Sequence, residues 1–211
     1  MIIAIDGTAA SGKGTLGKRL AKTLGLAYLD TGQLYRAVGM SAETHKLDID
    51  TAPVSKIADI ATELDLAHPF GEELRTAHAA ELASKAAALP AVRAALLDKQ
   101  RQFAKQPPCG SGAVLDGRDI GTVILPDADT KIFVDAAADI RAQRRFNELK
   151  AAGEKCDFAN VLSDIIKRDC RDKNRTIAPM TAASDAFIID SSDKNADEVF
   201  RIAMDYLEQR T

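Results

Sequence analysis

The residues best suited to chemistry stand at the start of the chain, where a glycine-rich segment follows a short apolar run. Residues 7–15 read GTAASGKGT and fit the G-x-x-x-x-G-K phosphate-loop pattern, with a helical pattern after it. Gly7 and Gly12 let the backbone curl so that successive N–H groups face one anion, and Lys13 supplies a mobile cation for the outer phosphates. The N-terminus of the next helix adds partial positive charge. The segment predicts a nucleoside triphosphate site, with an ordinary strand–turn–helix as the alternative. Its residues are Gly7, Thr8, Ala9, Ala10, Ser11, Gly12, Lys13, Gly14 and Thr15.

The hydroxyl that would serve a magnesium ion is displaced by one residue from the simple pattern. Gly14 stands directly after Lys13, where Ser or Thr is usual, and the hydroxyl follows at Thr15. We therefore expect Thr15 to serve the metal from a shifted position, which a bridging water would accommodate.

Arginines form the second group of residues suited to chemistry. Phosphoryl transfer needs two phosphates to be positioned and the charge of the transferred group to be neutralised, and the planar fork of arginine binds phosphate oxygens well. Some of these arginines recur at helical spacing and so share a helix face, while others follow apolar runs. For the helical ones, a solvated face with acidic partners is the alternative. The residues are Arg36, Arg118, Arg141, Arg144, Arg145, Arg168, Arg171 and Arg175.

Short apolar runs and helical patterns alternate along the chain, as in a parallel sheet covered by helices on both faces. Such sheets bind ligands beyond the carboxyl ends of their strands. Residues 46–106 contain no clear strand and predict an inserted helical subdomain. The predicted strands are 2–6, 27–29, 113–116, 131–135 and 186–190, and the predicted helices are 13–24, 33–45, 54–64, 73–88, 91–105, 138–152, 158–172 and 196–209.

Composition bounds the class of protein. The chain has 211 residues, 46% of them hydrophobic and 28% charged, with a formal net charge of −3. An acidic balance disfavours a nucleic-acid partner. We also expect no membrane association, because no apolar run approaches the length of a span and no signal peptide precedes the phosphate loop. The three cysteines form neither a metal-binding spacing nor a disulfide framework, so we expect a cytoplasmic protein, and a monomer.

Several of these motifs occur together in one family. They are IDG followed by GKGT within 5–15, LDTGQLYR at 29–36, DGRDIGT at 116–122, KIFVD at 131–135 and RDCRDKNR at 168–175. In this order, and over nearly the whole chain, the sequence resembles bacterial cytidylate kinases of the nucleoside monophosphate kinase group. The resemblance implies one α/β domain over 1–211 with the three-layer P-loop fold. That fold has a five-stranded parallel sheet with helices on both faces, a lid at about 141–175, and a monophosphate-binding insertion at 46–106. The insertion is short and mainly helical here, because Leu66–Arg75 is trimmed.

The resemblance also implies a reaction, the transfer of the γ-phosphoryl group of ATP to CMP or dCMP with Mg²⁺. Carried over by position, the residues acting on the transferred group are Lys13, Arg118, Arg144 and Arg175, and Thr15 serves the metal. Arg36, Arg118 and Arg175 would hold the acceptor phosphate, and Arg168 and Asp172 the sugar. Thr31, Ser84, Arg93 and Asp119 would read the cytosine.

Asp119 distinguishes a kinase for CMP from related kinases that act on other small acceptors. A carboxylate accepts a hydrogen bond from the cytosine amino group, whereas uracil would place a carbonyl against it, and such buried mismatches discriminate strongly. One alternative is a related kinase for UMP, AMP or shikimate. Another, from a different class, is a non-catalytic ATP-binding regulator, which would not need further arginine clusters or an acceptor-binding insertion.

Overall fold

The structure is a computed structural model that describes residues 1–65, 71, 74 and 76–209. The chain divides into two compact units. The first comprises Met1–Leu29 and Phe103–Thr211, and the second comprises Asp30–Gln102. Most of the trimmed stretch Leu66–Arg75 lies outside the described residues.

The first unit is built on a five-stranded sheet. Its strands, in chain order, are β1 (Ile2–Gly7), β2 (Ala27–Asp30), β3 (Ala113–Gly117), β4 (Thr130–Asp135) and β5 (Phe187–Asp190). They lie in the order β2-β3-β1-β4-β5. β1 is the central strand and pairs in parallel with β3 and β4, and β4 pairs in parallel with β5. Because Asp6 lies opposite Gly117 in the parallel β1–β3 pairing, the loops after these two strands leave the sheet at the same end, the carboxyl end of the strands.

β1 and β3 are short and apolar because both of their faces are buried, whereas β5 leaves Ile188 exposed. Ile3, Ile5 and Val114 are fully buried in a core shared with helices at the two ends of the chain. The helices contribute Leu16, Leu20 and Ala21 near the start, and Val199, Ala203 and Leu207 near the end.

The helices begin and end where capping chemistry allows. Gly25, at φ 65°, ends the first helix in the left-handed conformation that glycine adopts at little cost. Pro90 starts the fifth, where its missing N–H is not needed. Asn195 and Glu198 form a capping box at the last. The helices are α1 (Lys13–Leu24), α2 (Thr31–Thr44), α3 (Val54–Glu63), α4 (Ala77–Ala86), α5 (Pro90–Lys105), α6 (Ala138–Ala151), α7 (Phe158–Asn174) and α8 (Ala196–Glu208).

The second unit begins with Asp30, the last residue of β2, and its helices within the described residues are α2, α3, α4 and most of α5. Gly39 lets α2 approach α4 closely, because a Cβ at this position would lie 2.6 Å from Leu82 Cβ. Leu34, Val38 and Leu96 are fully buried in this unit.

The predicted strands and helices are confirmed within a few residues, with two exceptions. The fourth helix starts at Ala77 rather than 73, because the Thr76 hydroxyl caps it by accepting from Ala79 N at 3.1 Å. A π-helix at Ile120–Ile124, directly after β3, was not predicted.

Candidate active site

The phosphate loop leaves β1 through a backbone that only glycine accommodates. Gly7 has φ 151°, and a Cβ there would lie 2.0 Å from Val134 O on the neighbouring strand. Ala10 and Gly12 also have positive φ, at 58° and 90°. Gly12, which has no side chain, occupies the N-cap of α1, so backbone N–H groups of the first turn are left for another acceptor.

Side chains of the loop anchor it to the sheet. Thr8 Oγ1 donates to Asp135 Oδ1 at 2.7 Å, and Ser11 Oγ donates to Thr8 O at 3.0 Å. Ser191, which follows β5, reaches Ser11 O at 2.9 Å through its hydroxyl. All three hydroxyl-bearing residues are almost completely buried. They hold the loop in shape, which leaves its main chain to bind a ligand.

Lys13 and Thr15 lie in the first turn of α1, where the helix dipole favours an anion. Thr15 is exposed. Among the described residues, no group of three or more His, Cys, Asp and Glu side chains could hold a metal ion by itself. Mg²⁺ usually binds one or two protein oxygens together with substrate phosphates, and the exposed Thr15 hydroxyl is an oxygen of this kind.

The buried carboxylate of Asp172 lies close to two arginines in the first unit. Asp172 on α7 accepts from Arg118 Nε at 3.1 Å, and Arg168 Nε lies 3.8 Å away. Arg118 also donates from Nη1 to Gly117 O at 3.1 Å. Burial by itself raises the pKa of Asp172, but the surrounding positive charges outweigh it, and the pKa lies below its usual value. The carboxylate is therefore ionised and fixes the two guanidinium groups.

A second buried ion pair lies beside the first. Arg175 Nη2 is 3.0 Å from Asp119 Oδ1, and both side chains are 8% exposed. Arg175 Nε also donates to Ala178 O. Arg118 and Asp119 are adjacent in sequence, so the two pairs join β3 to the end of α7. The structure thus brings together five predicted substrate residues: Arg118, Asp119, Arg168, Asp172 and Arg175.

The arginines of α6 have different surroundings. Arg144 donates to Ser191 Oγ at 3.0 Å and to Ser191 O at 2.6 Å, in the segment after β5. Arg141 is buried and binds Asp169 Oδ2 at 2.6 Å and Ala9 O of the phosphate loop at 3.3 Å. Arg145 pairs with Glu148 one turn along its own helix, at 3.2 Å. Arg141 and Arg144 thus connect α6 to the surroundings of the phosphate loop, whereas the Arg145 pair is local.

The remaining predicted substrate residues lie in the second unit. Thr31, Ser84 and Arg93 are buried, with 3%, 4% and 6% of their surface exposed. Arg93 Cζ lies 5.9 Å from the centre of the Tyr35 ring, a cation–π arrangement. Arg36 Nη1 lies 3.9 Å from Asp30 Oδ2.

Sequence reasoning assigned no site role to several residues that shape this region. Asp6 accepts from Ile120 N at 2.7 Å and from Gly121 N at 2.8 Å. Burial raises the pKa of Asp6 to about 7, against the effect of these two hydrogen bonds. Tyr28 OH donates to Asp116 Oδ2 at 2.5 Å. Position at a strand end was the available signal for both carboxylates.

The sequence comparisons identify the family. The family model described as cytidylate kinase matches residues 3–209. The chain belongs to the cytidylate kinase family. It is 52% identical over 204 residues to the cytidylate kinase of Paramagnetospirillum magneticum, a match covering 96% of this chain and 95% of the relative. It is 53% identical over 210 residues to the enzyme of the same name from Azorhizobium caulinodans, covering 99% and 98%.

Solved structures support the fold assignment at low sequence identity. A shikimate kinase from Bacteroides thetaiotaomicron superimposes with a TM-score of 0.52 at 14% identity, over 99% of this chain and 98% of that one. An uncharacterised protein from Eubacterium ventriosum gives a TM-score of 0.55 at 16% identity, covering 99% and 98%. The predicted parallel-sheet P-loop fold is confirmed. In the part of the chain that the structure describes, no helix has the length and apolar character needed to cross a membrane.

Proposed function

We propose that this kinase transfers the γ-phosphoryl group of ATP to CMP and dCMP, giving ADP and CDP or dCDP. The observation that carries the proposal is the paired cluster of Arg118–Asp172 and Asp119–Arg175 after β3, the strand next to the one that ends in the phosphate loop. Family membership assigns the enzyme class. The cluster suggests how the acceptor is bound.

The donor phosphates would bind at the loop and the start of α1. The loop contributes backbone N–H groups, and Lys13 contributes a flexible cation. The burial of the Thr8 and Ser11 hydroxyls supports this role, because the loop shape is set by the protein before a nucleotide arrives. Thr15, together with the nucleotide phosphates, would hold Mg²⁺, which would neutralise part of their charge.

The acceptor phosphate calls for fixed positive charge near the loop. Arg118 and Arg175 are each oriented by a buried carboxylate, so little reorganisation is needed when a phosphate arrives. Arg36 would add a third cation from the second unit. Its neighbour Asp30 lies within 3.9 Å of the guanidinium and restrains it.

Cytosine would be recognised through its hydrogen-bonding edge. Asp119 has two oxygens and can accept from the cytosine amino group while Arg175 remains bound to Oδ1. Arg93 and Ser84 would donate to the ring nitrogen and carbonyl, with Thr31 alongside, and Arg168 and Asp172 would hold the sugar. The acceptor phosphate is already ionised near neutral pH, so the chemistry needs no general base.

The test is an acceptor panel with ATP and Mg²⁺, in which the nucleoside diphosphate products and ADP are quantified by chromatography. CDP and dCDP should form rapidly, with far slower product formation from UMP, AMP and shikimate. Rapid turnover of another acceptor alone would remove the cytosine site. ADP formation without any acceptor requirement, or ATP binding without turnover, would remove the transferase assignment.

A further inference from the structure

The carboxylate of Asp6 is placed to act on the turn that carries Arg118 and Asp119. Asp6 is the next-to-last residue of β1 and is 4% exposed. Its two oxygens accept from consecutive backbone N–H groups, those of Ile120 and Gly121, which start the π-helix. These contacts span 114 and 115 residues of sequence and all lie within the first unit.

The turn would normally be capped by its own preceding residue. Asp119 occupies the N-cap of the π-helix and is of a type that commonly caps helices with its own carboxylate. Within the described residues, its side chain makes no capping hydrogen bond to this helix. The carboxylate is instead directed to Arg175, 3.0 Å away. The N-terminal N–H groups of the π-helix are thus capped by Asp6, which lies on another strand.

From this arrangement we infer that Asp6 is a positioning residue for cytosine recognition, because it caps the turn after β3 and so releases the Asp119 carboxylate for Arg175 and the base. The inference rests on the function proposed above.

The energetics favour this division of roles. Ile120 and Gly121 are buried, so their N–H groups need a partner. Without an acceptor at Asp6, the nearest capping carboxylate in sequence is Asp119. Its rotation onto these N–H groups would break the pair with Arg175 and withdraw the base-reading oxygen. The turn also packs closely against β4, because a Cβ at Gly121 would lie 3.1 Å from Lys131 Cδ.

Asp6→Asn tests the role, since the amide keeps the shape of the side chain but offers an N–H₂ where one acceptor stood. The ratio of kcat/KM for CMP to that for UMP should fall by about tenfold, as expected when a buried N–H group loses its acceptor. KM for ATP should change by less than about twofold if the phosphate loop is intact. Ile5→Val, a neighbouring buried position on β1 without polar contacts to the turn, is the matched control and should keep both values.

A double-mutant comparison separates positioning from general destabilisation. Asp6→Asn should reduce selectivity in the wild-type background and have no further effect on it in an Asp119→Asn background. An additive loss in both backgrounds, an unchanged CMP-to-UMP ratio, or a rise confined to KM for ATP would overturn the inference. If Asp6→Asn does not fold, Gly121→Ala perturbs the same turn from the Lys131 side. It should lower the ratio as well, and an unchanged ratio there would overturn the inference.

The two proposals fail in different ways. Absence of CDP formation by the wild-type protein would overturn the proposed function, and with it the selectivity that Asp6 is inferred to support. CDP formation by the wild type together with normal selectivity in Asp6→Asn would overturn the role of Asp6 alone.

Discussion

Replacing Asp172 by asparagine should lower the free energy of unfolding, because it removes a buried negative charge that faces two arginines. The carboxylate is 6% exposed and lies 3.1 Å from Arg118 Nε and 3.8 Å from Arg168 Nε. Removing one member of a buried ion pair typically costs ~3–5 kcal/mol, because the other charge stays buried without compensation. Asparagine keeps a carbonyl oxygen, and Arg118 still donates to Gly117 O. We therefore expect the lower end, a loss of ~3 kcal/mol in the free energy of unfolding.

The assay is urea unfolding followed by circular dichroism. With a slope of ~2–3 kcal/mol/M, a loss of this size lowers the midpoint by about 1 M. Asp164→Asn is the matched control on the same helix. Asp164 pairs with Lys167 at 3.9 Å, and the two side chains are 73% and 70% exposed, so this change should have little effect. A midpoint for Asp172→Asn no lower than that of the control would refute the reasoning.

The same pair of proteins gives a pH signature. Because the pKa of Asp172 is lowered on folding, its contribution to stability is present above the unfolded pKa of about 3.8 and is lost as pH falls through the folded value. The stability difference between wild type and Asp172→Asn should be constant from about pH 6 to 8 and shrink below about pH 4. A difference that grows on acidification would contradict the assigned ionisation state.

Three further predictions concern the phosphate loop and its supports. Gly7→Ala should lower the free energy of unfolding by more than ~3 kcal/mol, because the new Cβ would lie 2.0 Å from a strand carbonyl oxygen. Gly153→Ala, at φ 78° with nothing within 4 Å of the new Cβ, should lower it by only about 1 kcal/mol. Equal shifts in melting temperature for the two variants would contradict this. Arg144→Ala should lower stability by ~2 kcal/mol through lost bonds to the segment after β5, against less than ~1 kcal/mol for Arg145→Ala, as measured by urea unfolding. Burial raises the pKa of Asp6 to about 7, so the free energy of unfolding should fall as pH rises from about 4 to 7, and more steeply in wild type than in Asp6→Asn. Parallel pH profiles of the two proteins would contradict the raised pKa.

Much of the fold could be predicted because its signals are local. Buried parallel strands are short apolar runs in the sequence. The apolar periodicity and the capping residues of each helix lie within the helix or a few residues from its ends. The phosphate loop could be predicted for the same reason, since Gly7, Gly12 and Lys13 act within one turn. The start of α4 also had a local signal, since Thr76 is an N-cap threonine that accepts from Ala79 N, although the prediction placed the start at residue 73.

Long-range pairing could not be derived from spacing. Helical periodicity places Arg168 and Asp172 on one face, and it would include Arg175 only if the helix continued past Asn174, where α7 ends. Nothing in the pattern shows that Asp172 binds Arg118, 54 residues away. The first N–H group of the π-helix after β3 is bound by a carboxylate more than a hundred residues earlier, a contact that the local sequence does not show. Likewise, the three arginines of α6 look equivalent in sequence, and only their packing separates Arg144, bound to the segment after β5, from Arg145.

The most direct test of the central claim is the specificity constant for CMP relative to UMP, measured for wild type and Asp119→Asn with ATP and Mg²⁺ saturating. Wild type should strongly prefer CMP, and Asp119→Asn should lose most of this preference while still binding ATP, because an amide can face either a carbonyl or an amino group. A wild-type protein without preference for CMP, or a variant that keeps the full preference, would contradict the account.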